Sequence, residues 1–190
     1  MLHLLAFALS VSVFLPTDDA PVVSAARRLA PFEIEALLAA PERRVRALRP
    51  DLARLMALGV TRSPTFAQLV ADLEGRDVIV HVVPTQNLPQ RTPGQTLLVP
   101  GAKAFRFLRV QIRPEGRDED LIAVIAHELQ HAVEIAAAPD VRNTEALRTH
   151  YRRIGFSDGS DREFDTHAAQ TVGTVVRREL RGNAATSSRF

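Results

Sequence analysis

His127-Glu128-Leu129-Gln130-His131 sets two imidazoles four residues apart, with a carboxylate directly after the first. On a helix, residues at this spacing project from one face, so His127 and His131 can offer nitrogens to one metal ion. Glu128 lies about a quarter-turn round the helix, where a carboxylate can hold a water molecule and take its proton. Zn2+ held by three protein ligands keeps a fourth position for water and lowers that water's pKa from about 15.7 to about 7. The chemistry such a group supports is metal-assisted hydrolysis of an amide.

The flanking residues are apolar. Leu121, Ile122, Val124, Ile125, Leu129, Val133 and Ile135 surround the motif, and neither wildcard position is charged. A helix apolar on most faces is buried, and buried histidines and glutamates must find partners. Asp118, Glu119 and Asp120 fall in the first turn of this helix, where acids complement its dipole, and Pro139 ends it.

Two histidines leave a third ligand to be found. With no cysteine in the chain, it must be His, Asp or Glu. Glu134 shares the face of His127 and His131, but one straight helix rarely closes a compact tetrahedral site, so it is expected to support a ligand instead of being one. Asp140 follows the terminating proline and reads as a turn residue; Glu145 is a further downstream acid. A last helix is expected over Asp161–Arg181, with Ser160 and Glu163 as a capping box. Its apolar stripe of Phe164, Ala168, Val172 and Val175 has Asp165 within about 40° of its centre, whereas His167 lies about 120° away. A carboxylate on an apolar face must be paired or bound to a metal, which selects Asp165 over Glu163 and His167.

The motif and this downstream segment resemble the zincin superfamily of zinc metallopeptidases, in particular small single-domain bacterial proteins of the minigluzincin type. That resemblance implies an α+β fold in which a small sheet packs on the HExxH helix, with further helices. It also implies zinc as cofactor, peptide or protein as substrate, and Glu128 as general base and acid. In such enzymes an edge strand pairs with the extended substrate backbone. Gluzincin-like proteins carry a glutamate on the second helix, where Phe164-Asp165-Thr166-His167-Ala168-Ala169 has an aspartate, so Asp165, Glu163 and His167 all stay open as third ligand. Zincins also commonly use a His or Tyr to stabilise the oxyanion, a role for which His150 and Tyr151 are the candidates. The alternative is a catalytically inactive zincin-like protein that binds metal or a partner.

Composition sets wider bounds. A chain of 190 residues, 46% hydrophobic and 24% charged, suffices for one domain with a real core. The net charge is +2, and arginines come in scattered pairs such as Arg43-Arg44 and Arg177-Arg178, without the basic stripe of a nucleic-acid surface. Leu2–Leu15 is apolar and uncharged, too short for a membrane span but suited to the core of a secretory signal. Residues 1–25 are therefore expected to be a signal peptide or N-terminal anchor, giving an exported protein, either released or held at the membrane by its N-terminus. Residues 26–182 are expected to form one domain, and 183–190 a disordered tail.

Prolines divide the first part of that domain into helical segments around Phe32–Ala39, Glu42–Leu48 and Asp51–Leu58, and the stretch from Ala26 to Gly59 suits a helical prodomain over the cleft. Ser63-Pro64 starts an amphipathic helix in which Phe66, Leu69, Val70 and Leu73 keep helical spacing up to Gly75. Asp77–Val83 then reads as a strand covered on both faces, Thr96–Val99 as a short strand and Phe105–Arg113 as an alternating one. His81, within the first of these, is expected to be a core histidine. A helix from Asn143 or Thr144 to Arg153 and a turn at Phe156–Gly159 complete the reading.

Overall fold

The sheet is built on Val78–Pro84 (β2), whose β-branched run is flanked by a parallel strand on each side. One neighbour is Val45–Ala47 (β1), the other Arg106–Ile112 (β4), and Gly94–Val99 (β3) adds antiparallel to β4. The order is thus β1-β2-β4-β3, which leaves β3 as an edge. The structure, a computed structural model, describes residues 42–90, 92–99, 104–157 and 164–187. The apolar run at the N-terminus, the segment around Phe32–Ala39, and the Ser160 and Glu163 pair lie outside them.

Five helices accompany this sheet among the described residues: Pro50–Arg62 (α1), Pro64–Glu74 (α2), Asp118–Ala136 (α3), Thr144–Ile154 (α4) and His167–Ser187 (α5). The fold is α+β. Proline at the first position of α1 and α2 and the Ser63 hydroxyl accepting from Phe66 N start two of them as the sequence suggests. Asn143 does the same for α4, accepting from Ala146 N at 2.8 Å. Val78, Val80 and Val82 of β2 and Leu108, Val110 and Ile112 of β4 face the helices and are buried with Ile122, Ile125 and Leu129 of α3. This layer fixes the plane of the HExxH helix; α5 packs along its other side.

Four expectations about elements are corrected. Residues 42–48 are not helical: Val45 and Ala47 are buried with Arg46 between them pointing outward, a period of two that pairs with β2. The last helix begins at His167 instead of Asp161, because Phe164–Asp165 (β6) pairs antiparallel with Phe156–Ser157 (β5), where a turn was expected. Its true N-cap is Thr166, whose Oγ1 accepts from Ala169 N at 3.1 Å. At the other end the helix passes Gly182 and reaches Ser187, so the tail expected over 183–190 is helical for most of its length. Finally, Leu52 and Met56 of α1 belong to the core, so this part of the Ala26–Gly59 stretch is integral to the domain and does not line the cleft.

Candidate metal centre

α3 projects His127 and His131 toward β6, and the Asp165 carboxylate comes to meet them. His127 Nε2 stands 3.3 Å from Asp165 Oδ1 and His131 Nε2 stands 3.6 Å from the same oxygen. One donor atom from each residue lies within 4.8 Å of the other two, and among the described residues no other group of His, Asp and Glu has this form. Zinc ligands at about 2.0–2.1 Å in tetrahedral directions stand roughly 3.3–3.4 Å from one another, so the two measured separations fit such an ion with small adjustments.

The remaining ring atoms are tied down, as a ligand's orientation requires. His131 Nδ1 faces Glu134 Oε2 at 2.9 Å, and the His127 ring packs edge-on against the His131 ring. Glu134 is in turn held at Oε1 by the Thr166 hydroxyl at 2.7 Å, the same hydroxyl that caps α5. Asp165 Oδ1 accepts from Thr166 N at 2.6 Å and Oδ2 from Gln170 Nε2 at 2.8 Å. His131 and Asp165 therefore have directions fixed by the protein itself.

Two glycines permit this closeness. At Gly155 a Cβ would stand 2.7 Å from the Asp165 carbonyl oxygen and 3.0 Å from that of Tyr151, so the strand carrying Asp165 can pass α4 only there. At Gly94 a Cβ would meet the Glu128 side chain at 2.9 Å and Val124 at 2.8 Å. The edge strand β3 thus lies directly against the carboxylate of the motif, where Thr96 Oγ1 reaches Glu128 Oε2 at 2.8 Å and Glu128 O at 3.0 Å.

The charges of the group follow from this setting. Burial pushes the Glu128 carboxyl up to about 7, against the opposing pull of His131 and the Thr96 hydroxyl. Burial alone would lower His131, but the carboxylates of Asp165 and Glu134 outweigh it and raise the ring to about 9. Asp165 is brought down to about 2: burial opposes this, and the bonds from His131 and Gln170 prevail. Burial and the neighbouring His131 lower His127. The four side chains form one coupled unit in a cleft of about 760 Å³, lined on one wall by β3 and on the other by α4.

Of the other candidates, Tyr151 borders the cleft, but its hydroxyl sits 3.3 Å from His131 Nδ1, from His131 O and from Glu134 Oε2. It stands on the Nδ1 side of the ring, away from the converging Nε2 atoms. Burial raises its pKa, so the phenol stays protonated. His150 packs edge-on to Tyr151 and does not line the cleft; its ring nitrogens are without a hydrogen-bond partner among the described residues. His167 stacks against Phe156 at the start of α5 and is not part of the donor group. His81 is half-buried beside Phe107 in the sheet, and Glu145 and Asp140 are exposed.

Sequence reasoning chose Asp165 on a helical angle, although Asp165 is in a strand. It overlooked Thr96, Gly94, Gly155 and Thr166. Only Thr166 carried a local signal, a hydroxyl residue immediately before an unbroken helix; the others act on residues far away in the chain. Comparison of this chain with protein-family models, with curated proteins and with solved structures finds no match.

Proposed function

We propose that the protein is a zinc-dependent peptidase of zincin type. The observation that carries the reading is the convergence of His127 Nε2, His131 Nε2 and Asp165 Oδ1 beside a buried Glu128, next to β3, an edge strand among the described residues. Zinc bound by these three donors would polarise the scissile carbonyl and acidify a water. Glu128, buried directly after His127 and beside His131, is placed to accept a proton from that water and to return it to the departing amine. Thr96 keeps one oxygen of Glu128 oriented, and the edge of β3, unpaired among the described residues, offers backbone groups to an extended peptide. Tyr151 supports His131 from behind, in keeping with a structural duty there; neither it nor His150 has a donor directed at the centre of the donor group.

The test is zinc content and hydrolysis in protein purified without chelator or histidine tag. About one zinc per chain is expected in the wild type, with loss in His131→Ala and in Asp165→Ala. Glu128→Gln should keep the metal and lose at least about a hundredfold in cleavage rate, the range of general acid–base catalysis. A metal-loaded wild type without Glu128-dependent hydrolysis would leave the inactive, metal-binding alternative. Absence of metal after reconstitution would remove both.

A further inference from the structure

Among the described residues, the acids that line the cleft are Glu128 and Asp165, and both already have work in the proposed metal centre. Its cations among these residues, apart from the imidazoles, are Arg148 and Arg177. Arg177 is held at Asp120 Oδ1 at 3.1 Å, a carboxylate it shares with Arg117 and Arg181, so its guanidinium is already directed to a partner within the protein. Arg148 is exposed and has neither an ion pair nor a hydrogen bond among the described residues.

Its position gives this charge a direction. Thr144, Leu147, Arg148 and Tyr151 follow the i, i+3, i+4, i+7 spacing and line the cleft as the facing side of α4. Arg148 is one turn before Tyr151, which itself touches His131, and the wall opposite is the β3 edge. Leu147 and Phe156 border the same space, and apolar neighbours that displace water strengthen a charge–charge contact there. A planar guanidinium with no partner among the described residues is suited to hold a carboxylate through two parallel N–H bonds.

We propose that Arg148 is a specificity-determining residue that selects peptide segments bearing an acidic side chain near the bond to be cut. The proposal rests on the peptidase reading above and adds the substrate class. A peptide extended along β3 sends every second side chain toward one wall, so the acid should be required at one fixed position and not merely somewhere in the sequence.

Two measurements separate this idea from the reading beneath it. In the first, zinc-loaded wild type and Arg148→Glu digest a mixed peptide library, and cleavage sites are read by mass spectrometry. An acidic residue should be enriched about fivefold to thirtyfold at one position in the wild type, and the variant should lose that enrichment or favour Lys and Arg there. No acidic enrichment, or enrichment unchanged in the variant, overturns the role of Arg148 while peptidase activity stands. In the second, Glu128→Gln protein with and without Arg148→Glu is titrated with a fluorescent peptide pair that differs only in Glu against Gln. Tighter binding of the Glu peptide, lost with Arg148→Glu and weakened by salt, supports an acid-selecting cleft even where hydrolysis fails. Equal binding of the two peptides overturns it.

Discussion

Glu134 is the residue on which the donor group depends without belonging to it. It takes the His131 ring at one oxygen and the Thr166 hydroxyl at the other, joining α3 to the start of α5. Burial pushes its carboxyl up, but the bonds from His131 and Thr166 prevail and keep it ionised. Replacing such a partner typically weakens metal binding 10- to 100-fold. Glu134→Gln should therefore raise the dissociation constant for zinc by about that factor in competition with a chelating dye; an unchanged constant would show that His131 needs no orienting carboxylate. At this scale the sequence was legible where chemistry is local. HExxH announces itself in five residues, and Glu134 could be placed beside His131 by helical spacing alone. Asp165 was found because a carboxylate amid apolar residues needs a partner, a requirement that holds in a strand as well as in a helix. Thr96 gave no such sign, since its importance comes only from where β3 lies.

Arg106 does at the level of elements what Glu134 does for one ring. Almost fully buried at the start of β4, it donates to the carbonyls of Ile135, Ala136 and Ala138 at the end of α3 and pairs with Asp77. A helix C-terminus presents unsatisfied carbonyls and partial negative charge, and a forked cation answers both. Arg106→Ala should cost about 2–5 kcal/mol of unfolding free energy, because several carbonyls at the end of α3 lose their donor at about 1–3 kcal/mol for each buried group left unsatisfied. Lysine should restore little, because its compact ammonium lacks the fork. Equilibrium unfolding in urea measures both, and a loss below about 1 kcal/mol would reduce this contact to packing. The helices and long strands were readable from period and caps, whereas the short strands β1, β5 and β6 were not. Two or three residues carry too little pattern, and pairing with partners elsewhere in the chain decides their conformation.

For the whole molecule, the candidate donors come from α3 and from β6, so an ion bound there would join two parts of the fold and stabilise the state in which they meet. Zinc at about a hundred times its dissociation constant should add about 2.7 kcal/mol and raise the melting temperature by several degrees, with a chelator reversing the rise. A melting curve indifferent to zinc would contradict a preformed site.

Acid should act on another part of the same fold. The hydrogen bonds of Arg106, aided by Arg142, hold the Asp77 carboxyl below its ordinary 3.8. A lowered folded-state pKa gives stability that is present above about pH 4 and lost as pH falls through the folded value. The difference in melting temperature between wild type and Asp77→Asn should therefore shrink between about pH 5 and pH 2; a constant difference would assign the effect of the substitution to packing. Because Asp77 is partly exposed, the change is modest.

The sheet also acts as a ruler for the helix that crosses it. Thr96 on β3, level with Val110 of β4, grips α3 at Glu128, and Arg106 grips the same helix at Ile135 and Ala136. Four strand residues separate the two grips on β4, about 13 Å. Seven to eight helical residues separate them on α3, about 11 Å. The two spans agree, so α3 cannot slide along its axis or gain a residue between these points without releasing one hold. The placement of the Glu128 carboxylate is thereby gauged against a strand end about two helical turns away, and a lengthened or shortened α3 would keep its fold only by surrendering its register.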